Sequence, residues 1–484
     1  MLLLFISLPT NELFTFVNYL EFVLSFFKIN DPFRLVPIFL LAFLFKIPAF
    51  LHPIQFAETT HWFVIGKAMH SGTLYVDIWD RIAPFSAVVY QVIDWLFGRS
   101  ILALYILGTL LTFLQAAIFN NMLMRAKVYE NNSYLPALIY VLFTSSHPAL
   151  FTLSPALMGL TLVLLGLGNM LRHVEFRAKK DIQIIMIGLY FGMSSLFYFP
   201  YIVFIPISVM LLLIFTSTIG RRYFLLVFGG VFPLITSFFY YWIKSDRPGY
   251  FLSNFVVFNN FNVTEQSIGW LWGTLSLGIP LIFAFAGLAS FGKQRRLTNY
   301  QSRIVQLFIV FGISVISMLL LEAPISYYSL SVFIPVLVFI TVHFVFIFKR
   351  SFYLTLLSIL ILVGTFISLW AFTFRWFTPS NGKSEPSKYA AVAKGKTIMV
   401  LGQDKSLYKN ASLAGPFYDW TLSSSFFNEL DYYDNLVFLQ DQLKRSKPDV
   451  IIDLENKWPQ IEKRLPLIAG SYFESQKNVW KRKN

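Results

Sequence analysis

About eleven long apolar runs dominate this sequence, and each is long enough as a helix to cross a hydrocarbon core of about 30 Å. Hydrophobic residues make up 56% of the 484 positions and aromatic residues 18%, which leaves too little polar surface for a water-soluble globule of this length. The chain is therefore predicted to be an all-α polytopic membrane protein. The runs lie at 34–52, 100–123, 133–152, 154–171, 182–199, 200–219, 223–243, 268–290, 304–321, 326–348 and 352–374.

Lysine and arginine residues are concentrated in alternate short loops between these runs. The intervening loops near 150, 200 and 323 carry none. Because positively charged loops are retained in the cytoplasm, this alternation predicts a cytoplasmic N-terminus. It also places the insert at 53–99, the loop at 244–267 and the C-terminal tail on the outer face. The basic loop residues are Arg125, Lys127, Arg172, Arg177, Lys179, Lys180, Arg221, Arg222, Lys293, Arg295, Arg296, Arg303, Lys349 and Arg350.

The net charge of +14 is explained by these loops, so no nucleic-acid partner is predicted. The absence of cysteine excludes disulfides and cysteine-based metal or redox chemistry. Residues 1–33 are predicted to form a cytoplasmic or interfacial lead-in with an amphipathic helix at 12–27, rather than a cleavable signal.

The insert at 53–99 places charged side chains between membrane spans: Glu58, His61, Asp77, Asp80 and Arg81. Its first half has helical periodicity from Glu58 and predicts a helix that stops near Gly72. The second half runs from Pro84 to Gly98, a residue pair typical of the start and end of a helix. Two such amphipathic helices are expected to lie along the membrane surface rather than cross it.

Composition changes after the last apolar run. The predicted transmembrane domain covers 34–376, and a linker rich in Pro, Ser, Lys and Gly covers 377–396. Residues 397–484 then read as a strand at Thr397–Leu401, a helix at 433–446 and a strand at Asp449–Leu454. This order predicts a small extracytoplasmic α/β domain with parallel strands.

The layout resembles the GT-C superfamily of integral membrane glycosyltransferases, in particular the bacterial branch of protein mannosyltransferases and lipid A aminoarabinose transferases. The similar segments are the loop from Glu58 to Gly72, the run Tyr75-Val-Asp77-Ile-Trp-Asp80, and the late aromatic stretch Ala323–Pro335. Family members usually carry an Asp-Glu pair at the start of the loop, whereas this chain has Ala57-Glu58. The family's Lys-Pro pair reads Ala83-Pro84, and residues 153–157 lack the acid often found there.

The resemblance implies transfer of a sugar from a polyprenyl-phosphate donor, for which Glu58 is the predicted catalytic base; alternatively, Glu58 only complements the helix dipole. Asp77 and Asp80 either share a helical turn, hold a divalent cation or sugar hydroxyls, or cap the turn into the Pro84 helix. No other cofactor is predicted. Arg81 is a candidate phosphate clamp or pairs with one of those aspartates, and His61 is a candidate to orient Glu58. Further candidates for substrate contact are Lys244, Arg247, Glu322, Tyr328 and Arg375.

Three functions therefore compete at the level of sequence. The first is an inverting glycosyltransferase in a bacterial inner (cytoplasmic) membrane, acting on the periplasmic face on a glycan, lipid or protein acceptor. The second is a non-catalytic GT-C-like scaffold or assembly subunit, which the altered motifs favour. The third is a transporter or flippase, which is disfavoured because the apolar runs hold almost no charged residues.

Overall fold

The computed structural model describes residues 26–54, 56–129, 132–176, 181–215, 219–245, 249–256, 277–290, 298–321, 326–347, 351–374 and 388–483. Its contacts divide the chain into two compact units. The first, here the membrane unit, comprises 1–54, 104–234 and 258–378. The second comprises 55–103, 235–257 and 379–484, and is here named the outer unit after the face that the sequence predicts for its insert and tail. The predicted domain boundaries at 33, 376 and 396 stay predictions.

Apolar helices make up the membrane unit. Six of the described helices are long and apolar enough to cross a bilayer, and their spanning parts are Ile101–Arg125, Pro155–His173, Gly220–Ser245, Asn299–Leu320, Ser329–Ile347 and Leu356–Thr373. Residues 101–103 and 235–245 of these helices belong to the outer unit. Other helices of the membrane unit are shorter: Leu35–Leu44, Ile47–Leu51, Leu135–Thr144, Pro148–Phe151, Asp181–Ser195, Phe204–Phe215 and Gly278–Ser290. Every predicted run overlaps at least one of these helices, although the predicted number of spans is not confirmed.

Two predicted spans are each divided between two helices. The run at 34–52 is broken between Leu44 and Ile47, and the run at 133–152 between Thr144 and Pro148. Proline stands at the first or second position of the later helix in each case, Pro48 and Pro148. Proline is accepted there because the first turn of a helix needs no backbone N–H, so hydropathy alone does not reveal these breaks. The lead-in helix predicted at 12–27 lies almost wholly outside the described residues.

Glycines let two helices of the membrane unit pack backbone against backbone. A Cβ atom on Gly188 would lie 2.0 Å from the carbonyl oxygen of Leu226, and one on Gly192 would lie 2.1 Å from that of Gly230. The two glycines are four residues apart and therefore face the same way on the helix Asp181–Ser195. This small-residue spacing is a recurrent means of helix association in membranes.

The insert of the outer unit forms the two predicted helices, Ala57–Ala68 and Pro84–Phe97. Gly98 ends the second helix with φ of 59°, a left-handed backbone that glycine tolerates best. Between the helices lie turns and one isolated bridge, from Leu74 to Ile78. Tyr75 is fully buried there, and its ring packs edge-on against Tyr241, with centroids 4.9 Å apart.

The tail folds around a five-stranded sheet in the order β2-β1-β3-β5-β4. The strands are β1 Thr397–Leu401, β2 Ser412–Leu413, β3 Val450–Asp453, β4 Tyr472–Gln476 and β5 Val479–Arg482. The pairing of β1 with β3 is parallel, as the sequence predicts. The antiparallel hairpin of β4 and β5 was not predicted. Helices of the tail span Ala390–Ala393, Trp420–Asn428, Tyr433–Ser446, Trp458–Arg464 and Pro466–Ala469.

Within the outer unit, the tail and the insert share one hydrophobic core. Trp79 of the insert is 9% exposed, and its ring packs against Phe417, Phe426 and Phe438 at centroid distances of 5.3, 5.4 and 5.5 Å. The backbone N–H of Trp79 donates to the carbonyl oxygen of Pro416 at 2.9 Å, which adds a directional contact. The tail is therefore packed onto the insert rather than standing apart from it.

Candidate active site

The side chains of Glu58 and His61 project from the first two turns of the helix Ala57–Ala68. Glu58 is in the first turn and His61 lies three residues later, so both project from one face of the helix. Glu58 is half-buried. Burial raises the pKa of Glu58, and its own backbone N–H and the charge of His61 offset only part of that effect. A carboxylate in this environment is more basic than one in water.

His61 is held from the other side of the insert by Asp80. The Nε2 atom of His61 lies 2.8 Å from Oδ2 of Asp80, which is fully buried. The second carboxylate oxygen of Asp80 accepts a hydrogen bond from the backbone N–H of Ile82 at 2.7 Å. Both oxygens of Asp80 are thus engaged, while the imidazole stays 24% exposed. A histidine fixed this way by a buried carboxylate has a defined ring orientation, which a proton-transfer group needs.

An aromatic side chain of the tail completes the surroundings of His61. Tyr418 stacks on the imidazole, with centroids 5.3 Å apart and an interplanar angle of 16°. The Tyr418 side chain is itself buried, and Tyr408 packs against it at a centroid distance of 5.2 Å. Burial raises the pKa of Tyr418, and the nearby Asp80, Tyr408 and Asp419 add to the effect, so its hydroxyl stays protonated.

Next to Tyr418, an acid and two cations form a second polar cluster. Asp419 accepts hydrogen bonds from the backbone N–H of Thr421 at 3.0 Å and from its hydroxyl at 2.6 Å. The ammonium group of Lys405 lies 3.4 Å from Asp419, and the guanidinium of Arg81 donates to the hydroxyl of Thr421 at 2.9 Å. Burial by itself raises the pKa of Asp419, but Lys405, Thr421 and Arg81 together hold it at about 2.

The two aspartates of the insert, Asp77 and Asp80, have different hydrogen-bond partners. Since the segment that carries them is not helical, the reading in which they share a helical turn is wrong. Asp77 accepts a hydrogen bond from the backbone N–H of Thr73 at 2.8 Å and so closes a local turn. Neither caps the helix at Pro84, because its N-cap is Ala83 without a side-chain bond. Arg81 pairs with Thr421, a partner that the sequence did not suggest.

Of the remaining predicted residues, the structure describes only Tyr328 and Lys244. Tyr328 is buried within the membrane unit. Lys244 is exposed at the end of the helix Gly220–Ser245. Arg247, Glu322 and Arg375 lie outside the described residues.

The predicted divalent cation finds no ready ligand set in the part of the chain that is described. No three His, Asp or Glu side chains there are grouped as a metal site would require. Asp77 and Asp80 are each already engaged in hydrogen bonds. The cation stays a prediction, and no chemical step below depends on it.

Sequence reasoning missed the contribution of the tail, chiefly Lys405, Tyr418 and Asp419. A signal was present, because Pro416-Phe417-Tyr418-Asp419-Trp420-Thr421 combines three aromatic residues with an acid in six positions. Sequence reasoning also missed Arg99 of the insert. Its guanidinium donates to the carbonyl oxygens of Tyr408, Lys409 and Ala411 at 3.1, 2.7 and 2.8 Å. Only the fold shows that these residues meet the insert.

We expect the substitution Asp419→Asn to destabilise the protein by about 2 kcal/mol at pH 7, since the folded pKa lies well below the usual value of about 3.9. Asparagine keeps an acceptor for Thr421 but loses the charge that faces Lys405. The stabilisation is present above about pH 4 and is lost as the pH falls toward 2, so at pH 3 the difference should be about half as large. Thermal unfolding of the full chain in detergent at both pH values measures it.

The exposed Asp441→Asn in the helix Tyr433–Ser446 is the matched control and should change little. A destabilisation by Asp419→Asn that did not depend on pH would show that the charge of Asp419 does not stabilise the fold.

Long apolar helices, a polar insert and an α/β tail together indicate a multi-pass membrane protein. The structure of ArnT from Cupriavidus metallidurans bound to undecaprenyl phosphate is similar over 93% of this chain and 98% of that one, with a TM-score of 0.55 and 12% identity. The Archaeoglobus fulgidus oligosaccharyltransferase tethered with an acceptor peptide is similar over 94% and 74%, with a TM-score of 0.50 and 11% identity.

No protein-family model matches the sequence, and no curated protein matches it either. At such low identity, the likeness to the two solved structures establishes the fold and confirms the resemblance to the GT-C superfamily at that level. One of those structures is of an oligosaccharyltransferase with an acceptor peptide, and the other holds undecaprenyl phosphate.

Proposed function

We propose that this protein is a membrane glycosyltransferase that takes a sugar from a polyprenyl-phosphate donor and transfers it to a glycan, lipid or protein acceptor on the periplasmic face of a bacterial inner membrane. The main support for the proposal is the half-buried Glu58 beside His61, whose Nε2 atom lies 2.8 Å from Oδ2 of Asp80. The undecaprenyl phosphate bound in the similar ArnT structure supports the class of donor.

In the proposed reaction Glu58 accepts the proton of the acceptor hydroxyl. The oxygen then attacks the anomeric carbon of the donor sugar while the bond from that carbon to the phosphate oxygen breaks. The bonding electrons leave with the polyprenyl phosphate, so a single displacement inverts the anomeric configuration. The raised pKa of Glu58 suits this role, because it makes the ionised carboxylate a stronger base.

We assign to Arg81 the positive charge that stabilises the departing phosphate. A guanidinium matches phosphate oxygens bidentately and is charged at every relevant pH. Its bond to Thr421 fixes the side chain at the edge of the insert, next to Asp419. Arg247 and Arg375 are proposed to act with it, although both lie outside the described residues.

A non-catalytic GT-C-like scaffold is the second candidate, and one observation favours it. The position before Glu58 is Ala57, where the resemblance leads us to expect the aspartate of an Asp-Glu pair. Among the described residues, Asp80 is the other acid engaged with His61, and both of its oxygens are already bonded. A scaffold would bind the lipid or a partner protein without turnover.

The experiment that separates these functions uses the full chain in liposomes with undecaprenyl-phosphate-linked hexoses and pentoses carrying a radiolabel on the sugar. We expect at least one donor to release undecaprenyl phosphate and to pass its label to an acceptor from a membrane extract. If every donor of the panel binds but none is consumed, the scaffold is the better description.

A further inference from the structure

We propose that Tyr418 of the tail is a positioning residue for His61, and that the tail thereby forms part of the active site rather than only covering it. The inference rests on the proposed function for its effect on turnover, and on described contacts for the positioning itself. All of these contacts lie within the outer unit.

The first step is the stacking geometry. A single hydrogen bond from one ring nitrogen to a carboxylate leaves the imidazole plane free to tilt. The ring of Tyr418, nearly parallel to it at 16°, removes this freedom by covering one face. His61 is thus fixed at Nε2 by Asp80 and across its face by Tyr418, whereas Nδ1 makes no hydrogen bond within the described residues.

The second step is that Tyr418 is itself held rigidly. Tyr408 packs against it, and the ammonium group of Lys405 lies 5.2 Å from its ring centroid. The charged groups that act on Tyr418 are Asp80, Asp419, Lys405 and Arg99. The charged group that acts on His61 besides Asp80 is Glu58. A ring surrounded in this way cannot adjust by rotamer changes, so it transmits a defined orientation to the imidazole.

The third step is the backbone pairing that sets the register of tail and insert. Trp79 donates its N–H to the carbonyl oxygen of Pro416 at 2.9 Å, and the N–H of Asp419 donates to the carbonyl oxygen of Trp79 at 3.4 Å. Tyr418 lies inside the tail segment and Asp80 directly follows Trp79. The two groups that contact His61 are therefore fixed relative to each other by the same pair of hydrogen bonds.

The hydroxyl of Tyr418 is not required for this role. Tyr418 is only 2% exposed, and its buried hydroxyl makes no hydrogen bond to any described residue. An unsatisfied buried donor costs free energy, so its removal is neutral or favourable for folding. The proposal thus assigns the function to the ring, which predicts different outcomes for substitutions by phenylalanine and by leucine.

The test combines ¹H–¹³C spectra of histidine-labelled protein in nanodiscs with turnover of the undecaprenyl-phosphate sugar panel. The chain has six histidines, and the His61 signal is assigned by its loss in His61→Gln. Tyr418→Phe should keep both the ring-current shift of His61 and the wild-type rate. Tyr418→Leu should abolish that shift and lower kcat roughly 10- to 100-fold with KM nearly unchanged, because binding is retained but the reacting geometry is not.

If Tyr418→Leu does not fold, Tyr418→Met repeats the test. Methionine also lacks a ring, but its flexible side chain fills an irregular space in a core. Phe427→Leu is the control for destabilisation of the tail, because Phe427 is equally buried but packs against Trp420 and Phe417. An unchanged His61 signal in Tyr418→Leu overturns the proposal, as does an equal loss of rate in Tyr418→Phe. If the wild type consumes no donor, the proposed function fails, whereas the spectra still decide whether Tyr418 positions His61.

Discussion

Replacing Glu58 by glutamine is expected to lower the turnover of a polyprenyl-phosphate sugar at least 100-fold, while the protein still folds and inserts. A positioned general base contributes roughly 10²- to 10⁴-fold to a rate, and glutamine cannot accept the proton. The amide has nearly the same size as the carboxylate, so packing around the first turn of the helix Ala57–Ala68 is preserved. The rate of release of undecaprenyl phosphate by the full chain in liposomes measures the effect.

The same substitution should not lower stability at pH 7. Burial raises the pKa of Glu58, so the folded state binds its proton more tightly than the unfolded chain does. The stabilisation from this group is complete below the usual glutamate pKa and is lost as the pH rises through the folded value. Glutamine is never ionised, so thermal unfolding at pH 7 should show the variant to be at least as stable as the wild type.

A further consequence concerns the pH profile of activity. The base works only when it is ionised, so the acid limb of kcat against pH should lie above the usual glutamate range of about 4.3. Glu462→Gln, at an exposed glutamate of the tail, is the matched control and should leave both rate and profile unchanged. Full activity in Glu58→Gln would remove Glu58 from the mechanism.

Replacing Trp79 by alanine should destabilise the outer unit by about 3 to 5 kcal/mol, the usual range for truncating a buried tryptophan. The ring of Trp79 lies among Phe417, Phe426 and Phe438, so its loss leaves a cavity between the insert and the tail. The backbone N–H of Asp419, which donates to the carbonyl oxygen of residue 79, should then exchange faster, because the contact that orders this pairing is gone. Hydrogen exchange of residues 416–421 in the full chain, together with thermal unfolding, measures both effects.

Trp95 provides the matched control because it belongs to the same insert but is 74% exposed. Trp95→Ala should leave the stability and the exchange of the tail close to wild type. Slow exchange of residues 416–421 that persisted in Trp79→Ala would show that the tail does not depend on the insert for its order.

Much of the fold could be predicted because local patterns suffice for it. The helices Ala57–Ala68 and Pro84–Phe97 follow from periodicity and from Pro84 and Gly98 at their ends. The parallel pair of β1 and β3 follows from two apolar strands separated by a helix. The breaks at Pro48 and Pro148 were missed because proline begins a new helix without interrupting an apolar run.

The candidate site was predictable only in part. Glu58 and His61 lie three residues apart on one helix, so the sequence alone brings them together. The bond from His61 to Asp80 crosses the insert, and no spacing rule specifies a contact between a helix and the irregular segment that follows it. The spacing of Asp77 and Asp80 suggested a shared role, but the turn between the helices gives the two carboxylates separate partners.

The sequence by itself determined that this chain is built from apolar helices, that a polar insert follows the first of them and that a small α/β tail follows the last. Each of these depends on composition and on periodicity over a few turns. The tertiary structure alone decided that Tyr418 and Asp419 meet residues about 340 positions earlier in the chain, as the bond from Arg81 to Thr421 illustrates. Such contacts depend on the burial of Trp79 in the core of the tail, and packing across that distance leaves no local pattern in a sequence.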